Sequence, residues 1–360
     1  MGHRVTERPT CFSLLMKFTN NNFNLIRLFA ALQVAIVHSA GYLNIDIQFL
    51  KFLDLFPGVP IFFFISGFLI IKSFKKIKKN KLKNFFYNRI LRIYPGLYFC
   101  FILTIASILL SEYLKNIDIN YYQLFIWLIT QLSVFQFYNP DFFRNYGVGV
   151  VNGSLWTISV EIQFYLLTFF IYLILNKYKK FLIVVFSICI ILNIQNAVFN
   201  EKITFFSKLF NVSFLPWIYM FLWGCYLENN KSLQKKLRGY NIFIIIIILI
   251  IINYYSYQLD IFRGKTNALN PIEFFLLSIV IFKIAYLKIK ISENFFNKND
   301  ISYGVYLYHM PIVNFLLYKN ITQSYLSLAL CIVLTLLFAI ISWKVIEKPF
   351  LSLKKTSLIK

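Results

Sequence analysis

The stretch NLIRLFAALQVAIVHSAGY, residues 24–42, has the composition of a membrane-spanning helix, yet it carries Arg27 and His38. Eleven residues at 100° each return almost to the starting direction, so the two side chains share one helix face, roughly 16 Å apart along the axis. Ala31 and Val34 lie between them on that face. Ionisable residues within apolar spans are costly and are functional candidates by default. The stretch therefore predicts a polar track that enters a membrane.

The whole chain has the composition of a polytopic membrane protein. Of its 360 residues, 59% are hydrophobic and 14% are charged, whereas about a quarter of the residues in soluble domains are charged. Apolar runs long enough to cross roughly 30 Å of hydrocarbon recur along the chain. They are continuous rather than alternating, which predicts an all-α fold. We predict about ten transmembrane helices, at 24–43, 57–71, 93–111, 155–175, 181–199, 209–227, 240–258, 270–287, 301–318 and 325–343.

The net charge of +23 is explained by membrane topology and does not indicate nucleic-acid binding. Segment 72–92 contains nine Lys or Arg and no acid, which predicts a cytoplasmic loop. Every basic cluster falls on the cytoplasmic side if the further apolar run 121–138 lies along or dips into the outer face. Both termini are then cytoplasmic. We expect an N-terminal cytoplasmic segment at 1–20, a transmembrane domain at 21–350 and a basic tail at 351–360.

The cysteines predict neither a disulfide framework nor a metal site. The chain has five of them, scattered and mostly within apolar runs. No pair has the spacing of metal ligands or of a redox motif.

A pair of arginines lies at the cytoplasmic start of the third predicted span. Arg89 and Arg92 are three residues apart in FFYNRILRIYP, so they point in neighbouring directions on a helix. Two guanidiniums presented together form a fork that suits phosphates. The alternative is ordinary positive-inside anchoring with contact to lipid headgroups.

The middle of the chain places an acid inside a span, in NGSLWTISVEIQFYLL (152–167). Glu161 should face protein, pair with a base or carry a proton, and Tyr165 at i+4 could hold it. Trp156 fits either a functional role or an aromatic belt at the outer interface.

Two further segments supply smaller signals. Ser66 precedes Gly67 in FFFISGFLI, where a small pair permits close helix approach or a break. Tyr306 and His309 share one face of SYGVYLYHMPI, residues 302–312. His309 is either a second functional imidazole or a structural hydrogen-bonding residue.

These motifs, in this order, resemble the membrane-bound acyltransferase family 3, which O-acylates bacterial cell-surface sugars. The resemblance covers about residues 20–350. It rests on Arg27 and His38 with ten residues between them, FFFISGF, Arg89 and Arg92 followed by IYP, SLWTISVEIQFYL, SYGVYLYHMPI and EKPF (347–350).

The resemblance implies that acyl-CoA, usually acetyl-CoA, is the donor and binds from the cytoplasm. It implies that Arg89 and Arg92 help to hold the CoA phosphates, that His38 is the essential histidine and that Arg27 belongs to its motif. The acceptor is expected to be a hydroxyl of a glycan or lipid-linked sugar at the outer face of the bacterial cytoplasmic (inner) membrane. We expect no hydrolase-like domain after EKPF, so either this chain completes the transfer or a separate extracytoplasmic protein receives the acyl group.

In this interpretation His38 acts as a general base on the acceptor hydroxyl or briefly carries the acyl group, and Glu161 orients or charge-balances it. The residues alone also fit a transporter or flippase of a glycan or lipid precursor, which needs buried charges along a path but consumes no acyl-CoA. Another class of membrane acyltransferase is a further alternative, against which the order of the motifs argues.

Overall fold

The computed structural model is helical, as the composition predicts. Helices are the only regular secondary structure in the ranges that it describes. The predicted segment 1–20 and residues 355–360 of the predicted tail lie outside those ranges. The described residues are 21–198, 205–258, 269–287, 289, 296 and 299–354.

Fourteen α-helices lie in the described ranges. The first seven are α1 Phe23–Tyr42, α2 Gly58–Lys76, α3 Lys81–Ser111, α4 Tyr121–Leu132, α5 Trp156–Lys177, α6 Lys179–Val198 and α7 Phe205–Asn211. The others are α8 Ile218–Asn229, α9 Lys231–Gly239, α10 Ile242–Gln258, α11 Pro271–Ala285, α12 Ser302–Tyr318, α13 Tyr325–Ser342 and α14 Lys348–Ser352. Short 3₁₀ turns occur at Gln48–Leu55, Tyr113–Asn116, Asp141–Phe143 and Gly153–Leu155, and a π turn at Trp343–Glu347.

Several of these helices have the length and composition of membrane spans. The joined pair α9 and α10, bent by 87°, would add a sixth candidate to the five that the described residues contain. This is the membrane character that the composition predicts, while the count of ten spans stays a prediction. The five are Phe23–Tyr42, Phe52–Lys76, Lys81–Ser111, Gly153–Lys177 and Tyr325–Ser352.

Contacts between helix ends define two ends of the bundle. Arg27, near the start of α1, pairs with Asp300, which lies two residues before the start of α12. At the other end, the backbone N–H of Gln323, between α12 and α13, donates to the carbonyl of Leu43, just after α1. Helices α1 and α12 therefore run in the same direction and α13 returns, as alternating spans require. We call these the Arg27 end and the Leu43 end.

Helix α12 lies at the centre of the site region. It packs against α1, α3 and α13, and nearly all of its residues are buried. Pro311 within it has no N–H, so the carbonyl of Leu307 loses its helical donor. The side-chain amide of Asn152 donates to that carbonyl at 3.0 Å. The chain thereby satisfies the helix backbone in the turn that carries His309.

The predicted span 209–227 is not one continuous helix. The chain leaves helical geometry between α7 and α8, around Pro216. Gln163 on α5 accepts from the N–H of Phe214 at 2.9 Å, and Asn193 on α6 donates to the carbonyl of Pro216 at 2.9 Å. Non-helical backbone at membrane depth is tolerated where protein groups satisfy it. Polar side chains on neighbouring helices make this break possible.

The doubtful run 121–138 forms the short helix α4 followed by turns. Its 12 residues give a length of about 18 Å, less than the hydrocarbon thickness of roughly 30 Å. Trp127 on α4 packs against Phe143, with ring centroids 5.0 Å apart. The following loop is attached to α12, because Asn314 accepts from the N–H of Val148 at 2.9 Å. The helix length favours the prediction that this run does not cross.

Gly67 allows α2 and α8 to approach closely, as the small pair in FFFISGF predicts. A Cβ at Gly67 would overlap the backbone carbonyl of Phe221 on α8. Gly67→Ala should therefore lower stability by about 1–3 kcal/mol, the usual cost of overpacking. The measurement is thermal unfolding of purified protein in detergent. Gly41→Ala is the matched control, since no atom lies within 4 Å of its added Cβ; an equal melting temperature for both variants would contradict this assignment.

Candidate functional site

Four charged side chains meet at the Arg27 end. Arg27 and Arg92 both donate to Oδ2 of Asp300, at 2.7 and 2.6 Å. Arg92 also lies 3.8 Å from the carboxylate of Glu347, which the π turn after α13 carries. The resemblance assigned both arginines to function, but sequence reasoning missed the two acids. Asp300 lies two residues before SYGVYLYHMPI and Glu347 begins EKPF, so their position beside motifs was the available signal.

The charge of Asp300 holds the two arginines together. Burial raises the pKa of Asp300, but the guanidiniums of Arg27 and Arg92 and hydrogen bonds from Ser302 lower it further, to about 2. The carboxylate is therefore ionised throughout the neutral range. It links α1 and α3 to the start of α12.

Arg89 does not join Arg92 in this network. Its guanidinium donates to the Ser73 hydroxyl at 3.1 Å and lies 5.6 Å from the ring centroid of Tyr165. Its Nε is buried without a hydrogen-bond partner among the described residues. The predicted fork is therefore divided: Arg92 lies in the ion network, whereas Arg89 forms no ion pair with the residues that the structure describes.

Lys354 lies close enough to Arg89 and Arg92 to be influenced by their charges. Burial, together with the charges of Arg89 and Arg92, holds the pKa of Lys354 well below its ordinary range. A nearby negative charge would stabilise the protonated form of this amine. The region around Arg89 is therefore suited to an anion.

A cavity leads from Arg27 into the bundle. It contains about 430 Å³ of space free of protein atoms, part of it open to the surroundings. Helices α1, α2, α5 and α12 contribute its walls. Its polar lining residues are Arg27, Ser66, Thr157, Glu161, Tyr303 and Tyr306.

The polar route differs from the track that the first stretch predicts. On the shared face of α1, Ala31 and Val34 are buried and do not line the cavity. The polar groups beyond Arg27 come from the neighbouring helices instead. The periodicity of one helix shows which of its side chains share a face. It does not show which residues of other helices pack against that face.

Glu161 is held inside this cavity. The hydroxyl of Tyr165 donates to its Oε1 at 2.6 Å, the contact that the i+4 spacing predicts. Ser66 also donates to Oε1, at 3.3 Å. In the pair that permits close helix approach, Gly67 makes that approach, whereas Ser66 faces Glu161.

Tyr306 connects the cavity to the histidines. Its hydroxyl is 2.8 Å from Thr157 Oγ1 and donates to the carbonyl of Ser154 at 3.1 Å. Its ring centroid lies 6.1 Å from that of His309.

Trp156, at the start of α5, belongs to an aromatic cluster beside the cavity. Its ring centroid is 5.3 Å from that of Trp217 and 6.4 Å from that of Phe63. The residue packs between helices here, and this contact accounts for its position in the fold.

His38 and His309 form a pair between α1 and α12. Nδ1 of His38 lies 3.2 Å from Nε2 of His309. His309 is completely buried, whereas His38 is half-buried. The ring of His38 also lies 5.9 Å from that of Tyr42, which is 40% exposed at the Leu43 end. Glu161, which we expected to orient His38, has its hydrogen bonds to Tyr165 and Ser66 instead.

This arrangement places a pair of imidazoles, which can transfer protons, beyond the far end of a cavity that begins at Arg27. Imidazole is the side chain best suited to take and return a proton near neutral pH. A polar cavity separates His309 and His38 from the cations of the Arg27 end. His38 is approached from the opposite side by Tyr42.

Comparison with known proteins identifies the family. The model of the acyltransferase domain (acyltransferase 3 type) matches residues 20–344. Nodulation protein 10 of Rhizobium leguminosarum bv. viciae is 27% identical, with 94% of this chain and 95% of the relative aligned. The O-acetyl transferase of Shigella phage Sf6 is also 27% identical, over 92% and 96% of the two chains.

A more distant similarity extends to a longer protein. The peptidoglycan O-acetyltransferase OatA of Listeria monocytogenes is 25% identical over 82% of this chain and 51% of its own length. No solved structure matches the chain significantly. The match over residues 20–344 shows that the chain belongs to the acyltransferase family 3, and that it is an acyltransferase.

Proposed function

We propose that this chain is an integral O-acyltransferase of the bacterial cytoplasmic membrane. It moves an acetyl group from acetyl-CoA, bound from the cytoplasm at the Arg27 end, to a hydroxyl of a cell-surface glycan or lipid-linked sugar at the Leu43 end. The observation that carries the proposal is one polar cavity between a cationic end and Tyr306, which lies beside His309. The names of two relatives, an O-acetyl transferase and a peptidoglycan O-acetyltransferase, support the acetyl group and the glycan.

The nucleotide end of CoA would bind at Arg89 and Lys354. Arg89 lies outside the ion pairs that occupy Arg27 and Arg92, and a bound phosphate would favour the charged form of Lys354. Guanidinium groups make strong charge-assisted hydrogen bonds to phosphate. The pantetheine arm would then extend along the cavity, past Ser66 and toward Tyr306.

The proposed reaction needs one proton acceptor. His38 removes the proton of the acceptor hydroxyl while the oxygen attacks the thioester carbonyl. The carbon–sulfur bond breaks, and the CoA sulfur takes the proton back from the imidazolium, so that the products are the acetyl ester and CoA thiol. Glu161 contributes a carboxylate to the wall of the cavity along which the donor arm would extend.

Loss of the Arg89 guanidinium should weaken acetyl-CoA binding. Hydrogen bonds to charged groups contribute about 1.5–3 kcal/mol, so we expect Arg89→Gln to raise the Kd by roughly 10- to 100-fold. Isothermal titration of the detergent-purified protein with a non-hydrolysable acetyl-CoA analogue measures this. Arg144→Gln is the control, because Arg144 is half exposed in the loop before α5 and pairs with Asp141. An unchanged Kd for Arg89→Gln would limit this arginine to membrane anchoring.

The function itself is tested by acetyl incorporation. Membranes with and without this protein are incubated with radiolabelled acetyl-CoA, and label is counted in the purified surface glycan. The proposal predicts protein-dependent, base-labile label. A transporter or flippase would leave the glycan unlabelled and the acetyl-CoA intact.

A further inference from the structure

The strongest unassigned feature is the contact between His38 and His309. The two residues are 271 positions apart in the chain and face each other between α1 and α12, with Nδ1 of His38 3.2 Å from Nε2 of His309. At that distance one nitrogen donates a proton and the other accepts it. If Nδ1 of His38 is the donor, its other ring nitrogen, Nε2, carries a lone pair and can act as a base; if Nδ1 is the acceptor, Nε2 carries the proton and cannot.

The surroundings of His309 favour one direction. Its Nδ1 is buried without a regular hydrogen-bond partner among the described residues, and the nearest backbone acceptors are the carbonyls of Val305 and Tyr306, one turn earlier in α12. Carbonyl oxygens only accept hydrogen bonds. A proton on Nδ1 of His309 would point toward these carbonyls and leave the Nε2 lone pair facing His38.

We propose that His309 is a positioning residue, which holds His38 in the tautomer protonated at Nδ1. The role rests on the proposed function, in which His38 is the base. With Nδ1–H donated to His309, the lone pair of His38 lies on Nε2 and is free to accept the proton of the acceptor hydroxyl. Once His38 is protonated, its Nδ1–H makes a charge-assisted bond to His309, which strengthens the contact when the positive charge is present.

The position of His309 is fixed by its own helix. It is completely buried, and two residues later Pro311 interrupts the backbone ladder where Asn152 replaces the missing donor. The neighbouring Tyr306 is held by Thr157. A side chain fixed in this way restrains the ring of His38, which is only half-buried.

The tautomer can be measured directly. The chain contains three histidines, so ¹⁵N-histidine labelling and solid-state NMR in lipid give few signals, and His3→Ala and His38→Gln assign them. We expect protonated Nδ1 and unprotonated Nε2 at His38. A His38 protonated at Nε2 would overturn the proposal. This readout does not depend on acyl transfer, so it distinguishes failure of this inference from failure of the proposed function.

Kinetics of two His309 variants supply a second test. The side-chain carbonyl of His309→Gln can accept the Nδ1–H of His38, whereas His309→Leu cannot. We expect kcat to fall by about 10²-fold or more in His309→Leu, with substantial recovery in His309→Gln and an unchanged KM for acetyl-CoA. Equal kcat values in the two variants, or a loss confined to KM, would refute the positioning role. If His309→Leu does not fold, the NMR measurement on the unaltered protein still decides.

Discussion

Replacement of His38 by alanine should abolish acyl transfer while the protein stays folded and membrane-inserted. A general base contributes about 10²- to 10⁴-fold to a rate, and no other imidazole in the described ranges is half-exposed beside the cavity route. Alanine is the best helix former, and His38 is only half-buried, so α1 should persist. Acetyl incorporation into glycan measures the activity, and size-exclusion chromatography in detergent measures the fold.

His3→Ala provides the matched control, since it removes a histidine from outside the described ranges. It should retain full activity. If His38→Ala acetylated glycan at the normal rate, His38 could not be the general base, and the proposed mechanism would be contradicted.

Asp300→Asn should lower the stability of the fold more than Gly67→Ala does. It removes the carboxylate that pairs with both Arg27 and Arg92, whose side chains are 18% and 12% exposed. Breaking a buried ion pair by removing one partner costs about 3–5 kcal/mol, because the remaining charge is left buried and unpaired. Thermal unfolding in detergent measures the effect. Glu112→Gln, in an exposed pair with Lys115, should change the melting temperature little.

The contribution of Asp300 has a defined pH dependence. Burial raises its pKa, but Arg27, Arg92 and Ser302 lower it to about 2 in the folded protein, against about 3.9 in an unfolded chain. A lowered carboxyl pKa stabilises the fold above the unfolded value, and the stabilisation is lost as the pH falls through the folded value. The difference in melting temperature between the unaltered protein and Asp300→Asn should therefore be smaller at about pH 3 than at about pH 5. A difference that instead grew at acidic pH would contradict the assigned ion pairs.

The helical, membrane-embedded fold and part of the site could be predicted from local patterns. The hydrophobic runs locate most helices, and the i+4 spacing of Glu161 and Tyr165 anticipates their hydrogen bond. Both follow from the geometry of a single helix.

The remaining contacts depend on how distant helices pack. Asp300 lies 273 residues from Arg27, and His309 lies 271 residues from His38. Periodicity shows which face of a helix is polar, but it does not identify the helix that covers that face. For the same reason Glu161, rather than His309, was expected beside His38.

The broken span at 209–227 shows a second limit of local patterns. Its composition is that of a continuous apolar helix, with Pro216 as the signal against it. Whether a proline bends or ends a helix depends on the groups that satisfy the freed backbone. Those groups are Gln163 and Asn193, on two other helices.

The central claim is that the donor enters at the Arg27 end from the cytoplasm and the acceptor is modified on the opposite side. Sealed membrane vesicles of known orientation test it most directly, because acetyl-CoA does not cross lipid. With radiolabelled acetyl-CoA added outside, we predict labelled glycan in inside-out vesicles, and label in right-side-out vesicles only after they are made permeable. Equal labelling of sealed vesicles of both orientations, or labelling of right-side-out vesicles alone, would contradict the account.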